Sequence, residues 1–106
     1  MVYVSEMRPS LEHLGARLRT LRIARNESMA VFAARIGVSV PTLRSMERGA
    51  PTVHIGAWAN ALWALDRLDD LAAVLATRES LLDRARARER EAPVRRRAYA
   101  KRRSPP

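Results

Sequence analysis

Pro41, Arg44, Ser45 and Arg48 recur at i, i+3, i+4 and i+7, the spacing of residues that share one face of an α-helix. Such a face offers a hydroxyl, two guanidinium groups and an apolar ring. A guanidinium can give two parallel hydrogen bonds to a guanine edge or a phosphate. Nothing on this face is a nucleophile or a general base. The chemistry on offer is recognition: donors for base edges and positive charge for a polyanion. Leu43 and Met46 fall on the opposite side, so one short helix has a face to pack and a face to present.

The neighbouring residues set the ends of that helix. Ser39 is a good N-cap, and Pro41 sits in the first turn, where a missing amide costs little. Gly49 stops it. Before it, Ser28 caps another short helix in which Phe32, Ala33 and Ile36 share a face, and Gly37 ends that helix by taking positive φ. Val38 plugs the turn, and Ala33 is the small residue that lets two steeply crossing helices meet. This is a helix-turn-helix pattern, whose second helix is offered to the DNA major groove. The plainer reading is a solvated face of any small bundle. The glycine and cap positions together favour the DNA reading. On that reading Val40, Pro41, Thr42, Arg44 and Ser45 meet base edges, with Arg44 the candidate for a bidentate contact to guanine. Phosphates fall to Arg48 and the helix starts capped by Ser28 and Ser39.

The rest of the chain supports these two helices. Residues 1–10 read as a flexible N-terminal segment containing a short β-prone run, Val2-Tyr3-Val4. A helix is expected from Pro9-Ser10 to about Arg25, with Leu11, Leu14, Leu18 and Leu21 as its packed stripe. His54 stands at the N-cap of a helix over Ile55 to Leu65, in which Ile55, Ala59, Leu62 and Leu65 or Ala61 cover the core. Trp58 and Trp63 cannot both lie on that stripe, because five residues of α-helix turn them well over 100° apart. One is expected to be exposed and to serve a homodimer interface. Asp69 and Asp70 open a last helix, packed through Leu68, Leu71, Ala72 and Leu75.

Composition excludes several functions. The chain has 106 residues and no cysteine, and His13 and His54 are too far apart to suggest a metal site, so neither metal nor other cofactor is expected. There is no phosphate-cradling glycine loop and no nucleophile–base set, so the chain does not read as an enzyme. No apolar run approaches membrane-spanning length and no signal-peptide pattern opens the chain, so a cytoplasmic location is expected and no membrane partner. Charge is uneven. Residues 1–77 hold nine Arg and seven acids, whereas residues 78–106 hold eleven Lys or Arg and four acids. Residues 77–106 therefore read as a basic tail, partly helical up to Glu91 and disordered from Pro93.

The core over about residues 11–75, with Gly37-Val38-Ser39 and Glu47-Arg48-Gly49 at this spacing, resembles the lambda-repressor-like Xre family. The resemblance implies an all-α, five-helix lambda-repressor-like helix-turn-helix domain over residues 11–76, followed by the disordered or partly helical tail. It also implies an ion pair between Arg22 and Glu47 that holds the first helix against the third and presents Arg22 to a DNA phosphate. Pro51-Thr52-Val53-His54-Ile55-Gly56, Ala61-Leu62-Trp63-Ala64-Leu65 and Leu68-Asp69-Asp70-Leu71 are similar to the HipB-like branch. Members of that branch are antitoxins and autorepressors paired with HipA-like serine/threonine kinase toxins. The implied function is a dimeric, operator-binding regulator of that kind. The alternative is an interaction protein that chiefly neutralises such a kinase and binds DNA weakly. Three departures bear on this. Met29 replaces the family's Gln at the first residue of helix 2, Arg44 replaces Ser, and Val40 and Pro41 replace polar base readers.

Overall fold

The structure, a computed structural model, describes residues 1–78 and 83–88. Its helices in chain order are α1 (Met7–Ala24), α2 (Met29–Ile36), α3 (Val40–Glu47), α4 (Ile55–Ala64) and α5 (Leu68–Ala72). Residues 83–88 are also helical, and no strand occurs among the described residues. The chain forms two compact units, Met1–Leu71 and Ala72–Pro106. The helix-turn-helix and its supports all lie in the first.

Helices α1 to α4 stop by one local device. A residue at positive φ ends each: Asn26 at 58°, Gly37 at 73°, Gly49 at 78° and Asp66 at 60°. The next amide then reaches back five residues: Glu27 N to Arg22 O, Val38 N to Ala33 O, Ala50 N to Ser45 O, and Arg67 N to Leu62 O. This satisfies carbonyls that a helix end leaves open. At the other ends, Ser28 Oγ accepts from Val31 N and Ser39 Oγ from Thr42 N, both at 3.2 Å. His54 occupies the cap position of α4 without a side-chain cap bond.

Packing joins α1 to α3, α2 to α3, and α2 to α4. The centre of the core is Phe32, Ile36, Leu43 and Met46, all fully buried, with Leu18, Ala33, Ala61, Ala64 and Leu65 around them. Burying such side chains contributes about 1.5–3 kcal/mol each. Helices α1 and α3 cross at backbone distance. A Cβ on Gly15 would lie 2.5 Å from the carbonyl oxygens of Met46 and Glu47.

Several expectations are corrected. Helix α1 begins at Met7, before Pro9, and so takes residues 7–10 out of the flexible segment. Proline is tolerated there because its amide position still lies in the first turn. Val2-Tyr3-Val4 forms no strand, and the described residues contain none for it to pair with. The buried residues of α1 are Gly15, Leu18 and Arg22, with Leu21 packed against the core; of the expected leucine stripe only Leu14, at 36%, is exposed. Around α4, Ala61 and Leu65 are buried as expected, joined by Ala64, whereas Ile55 is not a core residue but 73% exposed. Helix α5 ends at Ala72 and buries no residue. Leu75, at φ 64° and 99% exposed, lies beyond it and packs on nothing there. The expectations for Pro93 to Pro106 fall outside the described residues.

Candidate nucleic-acid interface

The presenting face of α3 is built from its cap. Ser39 is extended (φ −74°, ψ 158°), and its hydroxyl also donates to Thr42 Oγ1 at 3.0 Å. That leaves Pro41, Arg44 and Arg48 exposed in a row, with Ser45 and Thr42 half-buried on one flank. Arg44 and Arg48 carry no ion pair among the described residues. Val40, expected at base edges, is half-buried and packs against the core. Thr42 and Ser45 line an open groove with Ser39, together with Thr52 of the loop before α4 and His54 at its N-cap. Those last two were not legible as site residues, since no spacing rule connects them to α3.

Behind this face lies a buried ion pair. Arg22 Nε donates to Glu47 Oε2 at 2.6 Å and Nη2 to Oε1 at 3.2 Å, while Nη1 donates to Glu27 O at 2.8 Å. The side chains are only 9% and 6% exposed. The bidentate geometry fixes the end of α3 against α1, and the third bond ties in the turn before α2. Arg22 is thus committed on three sides, and a phosphate would meet little of it. Arg48 is the open cation at this end of α3.

Two polar contacts hold α2 against α4. Asn60 Nδ2 donates to Ile36 O at 3.1 Å, covering a carbonyl at the end of α2. Arg35 Nη2 donates to Ala64 O at 3.4 Å. Neither was read from sequence, where Asn60 and Arg35 look like ordinary surface residues.

The family model of the helix-turn-helix domain matches residues 13–85, well over half of the chain. The chain belongs to the helix-turn-helix domain family. No curated protein matches it, and no solved structure does. The match supports the Xre-like resemblance and the coarse function of a DNA-binding regulator. It does not reach the HipB-like branch.

This helix-turn-helix domain holds no group of His, Asp or Glu placed for a metal among the described residues. Nor is any helix among them long and apolar enough to cross a membrane. Trp58 packs against the core and lines a groove with Leu14, Leu21 and Leu62, whereas Trp63 is 64% exposed.

Glu27 is the perturbed acid of the helix-turn-helix domain. Burial raises its pKa, but the hydrogen bond and charge of Arg35, and then of Arg25, more than reverse this and hold it below the usual 4.5. An acid whose folded pKa is depressed stabilises above its unfolded pKa and loses that contribution as pH falls through the folded value. The urea midpoint is therefore expected to fall on acidification below the usual value, and Glu27→Gln to flatten that slope. An identical acid limb in the variant excludes Glu27 as a contributor.

Proposed function

We propose that this chain is a sequence-specific, dimeric DNA-binding regulator that represses its own gene. The observation that carries the reading is the exposed row Pro41, Arg44 and Arg48 on α3, unpaired and braced from behind by Arg22–Glu47. In this reading α3 enters the major groove, and Arg44 pairs with guanine. Pro41, with the half-buried Thr42 and Ser45, makes the shorter base contacts, and Val40 supports the helix start. Arg48 and the starts of α2 and α3 at Ser28 and Ser39 hold the backbone, with Arg22 acting through Glu47. Dimer half-sites lie about one helical turn apart.

The test is fluorescence-anisotropy binding of the full chain to the duplex upstream of its gene and to a scrambled duplex, over a salt series. Preference for the upstream duplex supports the reading; equal binding to both overturns it. Arg44→Ala is expected to remove about 1–3 kcal/mol of that discrimination. Arg48→Ala is expected to weaken both duplexes alike and to lower the salt slope by about 0.9.

The second part of the proposal is an antitoxin role. The similarity of residues 51–72 to the HipB-like branch supports it, and so does the exposure of Trp63 on a helix with no charged residue. Trp63, and Trp58 on the other side of α4, then serve homodimer contacts, and a HipA-like kinase is the protein partner. Co-purification with the product of a neighbouring HipA-like gene, surviving high salt, supports this role. Absence of a stable complex removes it and leaves the DNA reading standing.

A further inference from the structure

Arg8 is the second residue of α1, exposed and without an ion pair among the described residues. Its place does not suit the fold. The first turn of a helix carries partial positive charge, so an acid there stabilises and a cation opposes. The first turn of α1 holds no acid, and Glu6 at the N-cap makes no cap bond, accepting from Ser5 Oγ at 3.5 Å instead. Glu12, one turn on, has the spacing to pair with Arg8 and does not.

The crossing of α1 and α3 sets Arg8 beside the presenting face. The last turn of α3 lies over Gly15, and Gly49, which follows it, meets the backbone of Leu11 and Glu12. The chain leaving α3 therefore runs toward the start of α1. There Arg8 and Arg48 line one open groove, walled by Tyr3, Glu12, Ala50 and Pro51. Arg48 is the last cation of the exposed α3 row, so the groove opens from the end of that row. Arg17 is a cation of the same helix placed otherwise. Nine residues of α-helix set it half a turn round from Arg8, in the apolar groove of Leu14, Leu21 and Trp58.

We infer that Arg8 is a further contact to the DNA backbone, holding a phosphate next to the one that Arg48 holds. The inference rests on the DNA reading above. With α3 in the major groove, a backbone that reaches Arg48 lies at the mouth of the groove that Arg8 lines. Contacts of this kind fix the orientation of a reading helix and carry no sequence information. Arg8 thus adds affinity and pins the C-terminal end of α3, and a cation at the wrong end of its own helix has a use outside the fold.

The experiment uses the full chain, the same two duplexes and the same salt series. Arg8→Ala is expected to weaken both duplexes alike and to lower the slope of log K against log salt by about 0.9, as Arg48→Ala does. Arg8→Lys is expected to keep most of the slope, and Arg17→Ala all of it. An unchanged slope in R8A beside a lowered one in R48A overturns the inference. So does a slope lowered equally in R8A and R17A, which would mean that any surface cation counts regardless of place. Thermal unfolding separates fold from binding: the R8A midpoint is expected at or above that of the wild type, and a fall assigns Arg8 to the fold and overturns the inference. A wild type without upstream preference overturns the regulator reading, while the slopes on the scrambled duplex still report on Arg8.

Discussion

Glu47→Gln is expected to lower the free energy of unfolding by about 3–5 kcal/mol, because it leaves the Arg22 charge buried without a counter-charge. Domains of this kind have about 5–15 kcal/mol in total, so this is roughly a fifth of the stability or more. Arg22 is 9% exposed and Glu47 6%, so water cannot replace the lost partner without opening the α1–α3 contact. The double variant Arg22→Met with Glu47→Leu is expected to be far less damaging, since both desolvation costs disappear together. Urea denaturation of Arg22→Met, Glu47→Leu and the double forms a cycle that measures the coupling. Additive losses would show that the pair is not coupled. The effect reaches function too, because α3 is held at its C-terminal end by this pair and its presenting face shifts if the end is released.

Gly49→Ala is the second large loss. The position has φ 78°, which costs an L-residue about 1–2 kcal/mol. A Cβ there would also lie 2.6 Å from the carbonyl carbon and oxygen of Leu11, backbone atoms of α1 that have no rotamer in which to yield. Overpacking of this sort adds about 1–3 kcal/mol. Gly37→Ala is the control: its φ is 73°, but nothing lies within 4 Å of the added carbon. It should lose only the conformational part. Equal urea midpoints for the two variants would contradict this account of the α1 crossing.

These two sites show what the sequence carries and what it hides. The stops at Gly37 and Gly49 and the caps at Ser28 and Ser39 are legible because each acts within a few residues of itself. The helical row of Pro41, Arg44 and Arg48 is legible for the same reason. Gly15 was passed over, because its need for a missing side chain arises from the backbone of α3, some thirty residues away. The leucine stripe of α1 is legible at Leu18 and Leu21, but Leu14 is exposed for a related cause: the crossing puts Gly15 and Arg22 against α3. Ile55 and Leu75 are apolar at the right spacing, yet periodicity does not say where a helix ends or whether a partner covers it. Val40 looks like a base reader by position, but the core takes its side chain. Arg22–Glu47 came from resemblance to a family and not from spacing. The Glu27 cluster, assembled from three separate segments, had no local signature.

The stop residues have a kinetic consequence. Asn26, Gly37, Gly49 and Asp66 each end a helix by bonds reaching back no more than five residues, and each helix contact joins helices adjacent in the chain or separated by one other. Little chain entropy must be lost before any native contact forms. Topologies dominated by such local pairings reach the native state in microseconds to milliseconds. A newly made copy of this domain thus spends little time with the side chains of α2 and α3 open to wrong partners.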